Sequence, residues 1–483
     1  MQSSPFCSIA RQIPYSCVRM AFMKTYKLNA AGQRQGGIRE MIAIALPMVV
    51  SFACDTVMIF TDRFFLSQLG PTMMNAALGG GVSFYMLITF MLGLTGYTTA
   101  LAAQYLGARL KENCSKVAAQ AGILILLAWP VIVLLRVPAS ELFTLMGVSE
   151  AQIMPQNTYF RILAIGSVAT LLRHCLASFF SGIGTTNIVM VASLIAMLIN
   201  MLASYTLIFG NFGFPKMGIA GAAYGTIFAS FCACLMLAGV YCSKPIRTEY
   251  SVMKSFAFRW DIMKKLLRYG YPSGVEMFLA VTAFNFMVMT FHSTGPANAT
   301  AASIMLNWDM MTYIPLMGLE IGVTSLVGRY MGAGRSDLAH QSTMSGVKIG
   351  LVYASLMLVM FMFFPRGLAT IFEPESTSRA FNQALPSAIY MLRLICLYLV
   401  SEIVMVVFVG ALRGAGDTLW AMSYSIVLHW FLAITLFVML RGFHTSIETG
   451  WTAVIALFLV LSTAVVFRYR GGKWKLLRIV HQD

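Results

Sequence analysis

Along the chain, apolar runs of about twenty residues alternate with short polar breaks, and the alternation repeats about a dozen times. A bilayer core about 30 Å thick needs roughly 20 apolar residues per crossing helix. The pattern predicts twelve spans, over 42–66, 75–105, 117–135, 155–181, 187–209, 218–242, 269–292, 300–331, 345–364, 385–411, 418–440 and 451–467. Almost nothing remains for a soluble domain.

The chain also resembles itself. Thr99 to Ala108, at the end of the second span, matches Thr324 to Ala333, at the end of the eighth, at an offset of 225 residues. Pro47 and Pro272 share that offset, as do Gly93 and Gly318. Gly182-Ile-Gly-Thr-Thr186 matches Gly414-Ala-Gly-Asp-Thr418 at an offset of 232. Six spans per repeat is an even number, so both halves keep one orientation, as in transporters built from parallel repeats. The expected fold is all-α and polytopic, with lobes at 41–242 and 269–468, a basic leader at 1–40, a basic linker at 243–268 and a basic tail at 469–483.

Composition agrees, with 58% hydrophobic and 11% charged residues, against roughly 25% charged in a soluble domain. The net charge of +16 is a matter of topology. The leader, the tail and the linker, which alone holds seven basic residues and two acids, fall on one side of a twelve-span count. The positive-inside rule makes that side cytoplasmic, and the expected location is a cell membrane, the bacterial inner membrane. The same charge favours contact with anionic lipid, and without a basic stripe carrying stacking aromatics nucleic acid is not an expected partner. The leader lacks the continuous apolar core of a signal peptide, and Met20 and Met23 are alternative starts close to the first span. The nine cysteines follow no metal or disulfide spacing and read as small buried hydrophobes. Most of the 35 methionines and 34 phenylalanines read as facing lipid, some as lining a cavity that adapts to varied ligands.

Six acids lie inside the predicted spans: Asp55, Asp62, Glu276, Asp309, Glu320 and Glu402. A charge at membrane depth costs roughly 2.5–3.5 kcal/mol on insertion scales, so each needs a cavity or a partner. Counting residues from the helix ends puts Glu276, Glu320 and Glu402 at similar depth, where three carboxylates that met could not all stay ionised without a cation. Tyr398, four residues before Glu402, shares its helix face, and Asp55 and Asp62 share a face of the first span. Arg63 and Arg161 read as structural, while Arg173 and His174 either snorkel inward or line the pathway. Walker A, Gly-x-Ser-x-Gly, His-Glu-x-x-His and Gly-x-Gly-x-x-Gly are all missing, so neither ATP-driven transport nor an enzyme is expected and no cofactor is implied.

Several linked segments resemble the multidrug and toxic compound extrusion (MATE) family. They are Ala45-Leu-Pro47 with Thr61-Asp62, Thr98 to Gln104 with Gly107-Ala108, Leu207 to Gly210 with Gly218 to Ala223, and Leu412-Arg-Gly-Ala-Gly-Asp-Thr418. The match runs over about residues 38 to 470 and is nearest the sodium-coupled bacterial branch. It implies twelve helices in two pseudo-symmetric lobes around a V-shaped central cavity, and sodium- or proton-driven antiport of amphipathic, usually cationic, small molecules by a monomer. A lipid-linked precursor flippase of the same superfamily is the alternative. By resemblance, Asp62, Asn200 and Thr226 form the first-lobe cation site, with Ser204 where one branch has an acid. Glu276, Tyr398 and Glu402 form the second-lobe site, which would hold sodium if the coupling ion is sodium. Asp55, Ser204, Asp309 and Glu320 are further candidates for lining the cavity.

Overall fold

A computed structural model of the chain describes residues 35–145, 149–373 and 379–480. The expectations for the leader up to residue 34, including a start at Met20 or Met23, concern residues outside that range. Among the described residues there are no strands, and twelve helices are long and apolar enough to cross a bilayer. They are α1 (Ile38–Ser67), α2 (Pro71–Gly107), α3 (Lys111–Leu145), α4 (Glu150–Gly182), α5 (Thr186–Phe209), α6 (Ile219–Tyr241), α7 (Trp260–His292), α8 (Pro296–Gly332), α9 (Ser336–Phe363), α10 (Arg379–Ala415), α11 (Thr418–Phe437) and α12 (Ile447–Arg470).

Several helices outrun their hydropathy windows. α7 begins at Trp260, within the stretch expected to be linker, and α9 begins at Ser336 instead of 345. Hydropathy registers only the part of a helix that lies in lipid, whereas helical hydrogen bonding continues through amphipathic turns such as Lys264, Lys265 and Arg268. α2 is interrupted at Tyr97, and α11 closes in a π-turn at Val438–Gly442.

The packing repeats with a shift of six helices. α1 packs on α5 as α7 packs on α11, α2 on α4 as α8 on α10, α3 on α4 as α9 on α10, and α4 on α6 as α10 on α12. Between the lobes, α1 packs on α8 as α7 packs on α2. The starts of the two lobes are also exchanged. Met41, Ile44 and Ala45 of α1 lie in a core cluster of the second lobe, and Ile262 and Leu266 of α7 lie in the main cluster of the first.

The first and last described residues lie on one face, where the repeated motifs meet. A Cβ on Gly107 would stand 1.9 Å from the Arg329 carbonyl oxygen, and one on Gly332 would stand 2.0 Å from that of Gln104. These approaches are closer than any side chain permits, which is why glycine recurs at the offset found in the sequence. Across the same seam the Gln104 amide donates to the Gly414 carbonyl at 2.8 Å, and the Ser325 hydroxyl donates to that of Ser181 at 2.7 Å. Glu40, at the start of α1, accepts from the Tyr330 hydroxyl at 2.7 Å and from Arg329 at 3.2 Å. The lobes are therefore locked together at the face that carries the chain ends.

Candidate functional site

The six intramembrane acids divide by the company they keep. Asp55 on α1 receives two hydrogen bonds from Arg173 on α4, at 3.0 and 3.2 Å. Arg413, near the end of α10, reaches Glu276 on α7 with one guanidinium nitrogen at 2.6 Å and Glu320 on α8 with the other. A planar fork suits this double duty, and it ties three helices of the second lobe together. Asp62, Asp309 and Glu402 are left, and among the described residues none of the three makes an ion pair.

Asp62 sits near the far end of α1, 4% exposed. The Thr226 hydroxyl of α6 donates to its Oδ2 at 2.7 Å and the Asn200 amide of α5 at 3.4 Å. The same amide lies 3.3 Å from the Ser204 hydroxyl oxygen and 3.3 Å from that of Thr226. Asp62 Oδ1 and Asn200 Oδ1 are buried without a hydrogen-bond partner among the described residues. An unsatisfied carboxylate oxygen and an unsatisfied amide oxygen are donors of the kind hard cations take. The structure thus assembles the expected first-lobe group, with Ser204 inside it. Asp55 does not join, although it shares a face of α1 with Asp62.

In the second lobe, Asp309 of α8 accepts a hydrogen bond from the Tyr398 hydroxyl of α10. Glu402 lies within electrostatic reach of Asp309, and its Oε2 is buried with no hydrogen-bond partner among the described residues. α8 presents Asp309, Tyr313 and Glu320 at helical spacing, and α10 presents Tyr398, Glu402 and Arg413. The two faces meet in two tiers. Asp309 and Glu320 are eleven residues apart, about 16 Å of helix rise, with the arginine cluster in the tier nearer the chain ends.

This corrects the expected grouping of Glu276 with Tyr398 and Glu402 as one ion site. Glu276 belongs to Arg413 and Glu320, because a buried guanidinium draws the carboxylates within its reach. Glu402 has Asp309 as its neighbour instead. The expected layer of Glu276, Glu320 and Glu402 is likewise divided between the two tiers. The structure places Glu276 on Arg413 and Tyr398 on Asp309, so the three residues of the expected sodium site, Glu276, Tyr398 and Glu402, have separate hydrogen-bond partners. Sequence reasoning missed the role of Arg413, which served only as a motif landmark. The signal was available: an arginine within a span needs acids, and only a few are present. Arg173 is bound to Asp55, and the Nε2 of its neighbour His174 lies 3.2 Å from where a Cβ on Gly96 would stand.

Two equivalent six-helix lobes, locked at one face and carrying unpaired carboxylates at membrane depth, define a membrane transporter scaffold. Comparison with known sequences places it further: the MatE family model matches residues 47–206 and 272–439, once in each lobe, and the chain belongs to that family. A "Probable multidrug resistance protein NorM" of Thermotoga maritima is 24% identical over 448 residues, covering 92% of this chain and 95% of the relative. A protein of the same description from Mesorhizobium japonicum is 28% identical over 438 residues, covering 87% and 92%. The fold is that of a MOP superfamily transporter from Pyrococcus furiosus, with a TM-score of 0.83 at 20% identity, covering 92% of this chain and 97% of that one. A multidrug resistance MATE family transporter in an outward-facing conformation superposes with a TM-score of 0.81 at 20% identity, covering 92% and 98%.

Proposed function

We propose that the protein is a secondary active multidrug exporter, which moves amphipathic, mainly cationic compounds out of the cell in exchange for inward-moving sodium or protons. Its ends would lie in the cytoplasm of a bacterial cell, and its lobes would rock about the seam. The relatives' names support multidrug export. The observation that carries the reading is the partition of charge. Once Arg173 and Arg413 have taken their partners, Asp62 and Asp309 remain with neutral hydrogen-bond donors only, and the buried Oε2 of Glu402 remains with none among the described residues.

Antiport follows from that partition. Asp309 and Glu402 are close enough to repel one another, and a proton taken up by either carboxylate or a bound cation relieves the repulsion. A cationic cargo relieves it too. The two therefore compete for one pair of charges, and a lobe that favours coupling ion on one side and cargo on the other exchanges them. Tyr398 orients Asp309, and the Arg413 cluster keeps α7, α8 and α10 in register beneath the pair. Asp62, with Asn200, Thr226 and Ser204, is the smaller cation site of the first lobe.

The test is Glu402→Gln in proteoliposomes. Gradient-driven efflux should fall to the leak level while the thermal unfolding midpoint is kept. Unaltered transport would overturn the assignment.

A further inference from the structure

The segment after α12 does not leave the protein. Gly472, with φ +71°, turns the chain back under the bundle, and Trp474 closes a stack on the second lobe. Its ring lies 5.0 Å from that of Tyr469, which lies 4.4 Å from that of Phe408. The Trp474 indole nitrogen donates to the Tyr469 carbonyl at 2.9 Å, and the Tyr469 hydroxyl lies 2.9 Å from His340 Nδ1 on α9. Trp474 is 1% exposed.

Five residues later the same segment is buried in the seam between the lobes. Ile479 and Val480 belong to the main, largely first-lobe cluster, which also holds Leu94 and Tyr97 of α2 and Ile262 and Leu266 of α7. Ile479 lies directly on Gly416, in the turn between α10 and α11. A Cβ there would stand 2.3 Å from its Cδ1 and 3.9 Å from the Tyr97 hydroxyl. Gly416 has φ +101°, so the turn needs glycine both for its backbone and for the room the isoleucine takes. The tail is thus anchored by an aromatic stack on the second lobe and ends with two aliphatic side chains in the seam, between Gly416 of that lobe and the main cluster of the first.

We propose that residues 474–480 form a strap that holds the lobes closed at the face carrying the chain ends, and that opening this face requires Ile479 and Val480 to be withdrawn. Separating α2 from α8 and α10 pulls the two ends of the strap apart. Returning two buried aliphatic side chains to water changes an equilibrium by more than tenfold. The strap therefore biases the resting protein towards the state closed on this side. The inference rests on the rocking motion proposed above, but its test needs neither gradient nor cargo.

Ser325, which bridges the seam to Ser181, is replaced by cysteine, and modification at residue 325 by a polar maleimide is followed over time by peptide mass spectrometry in the full-length protein. Deleting 477–483, or introducing Ile479→Ala with Val480→Ala, should accelerate modification about tenfold. Cys175, buried in the first lobe away from the seam, should stay slow in the same digests. An unchanged rate at residue 325, or an equal acceleration at Cys175, would overturn the strap. If the shortened chain does not accumulate, the double alanine variant decides. Failure here leaves the efflux result with Glu402→Gln untouched, and failure there leaves the labelling result standing.

Discussion

Replacing Arg413 with glutamine removes the single cation that serves two buried acids. The side chains of Glu276 and Glu320 are 4% and 16% exposed, and that of Arg413 is 27% exposed. Breaking a buried ion pair by deleting one partner costs about 3–5 kcal/mol, because the other charge is stranded. Arg413 is partly open to solvent, so the lower end, about 3 kcal/mol, is expected. For a unit the size of one lobe each kcal/mol moves the melting midpoint by about 2–4 °C, which gives a drop on the order of 10 °C. The assay is fluorescence-detected thermal unfolding in lipid nanodiscs. Removing all three charges together, with Arg413→Met, Glu276→Gln and Glu320→Gln, should restore most of the loss, since no stranded charge remains. A midpoint for Arg413→Gln within about 2 °C of the parent would refute the reasoning, as would a triple variant as unstable as the single one.

Further expectations follow from the same geometry. Arg173→Met should cost about 1–2 kcal/mol, less than Arg413→Gln because the Asp55 side chain is 34% exposed, and Asp55→Asn in that background should recover part of it in a double-mutant cycle. Asp62→Asn preserves the shape of the group formed with Asn200 and Thr226 while removing its charge, so the protein should fold and export more slowly. Efflux equal to the parent would remove Asp62 from the site. Gly332→Ala places a Cβ 2.0 Å from the Gln104 carbonyl oxygen, which forces the seam apart. Maleimide should then reach a cysteine at 325 faster, and a slow rate would show that the seam can absorb the methyl group.

The architecture was legible because its causes are periodic. The twelve apolar runs, the duplication at offset 225 and the glycines that recur in it could be read directly, and the pairs Gly93 with Gly318 and Gly107 with Gly332 proved to mark close approaches between lobes. The first-lobe site was legible through resemblance, with Asp62, Asn200, Thr226 and Ser204 all in one group. In the second lobe Tyr398 and Glu402 were expected to share a group, but Asp309 was expected only to line the cavity and Glu276 was placed with the wrong neighbours. Depth along a helix can be counted from its ends, but the direction in which a side chain points across the bundle cannot. Glu276 and Glu402, assigned similar depths, turned out to face different neighbours. Asp55 and Arg173 lie 118 residues apart on α1 and α4, and no periodicity links them. Matching intramembrane arginines against acids would have supplied the missing rule, because the acids left over are those free to exchange a cation.

The central claim is that Asp309 and Glu402, oriented by Tyr398, carry the coupling ion, while Glu276 balances Arg413. Efflux of a cationic dye from vesicles, with sodium and proton gradients imposed separately on the parent, Glu402→Gln and Glu276→Gln, tests it most directly. The account predicts that the parent responds to one of the two gradients, that Glu402→Gln responds to neither, and that Glu276→Gln is less stable but keeps the gradient dependence of the parent. Gradient-driven efflux that survives in Glu402→Gln and vanishes in a folded Glu276→Gln would contradict it.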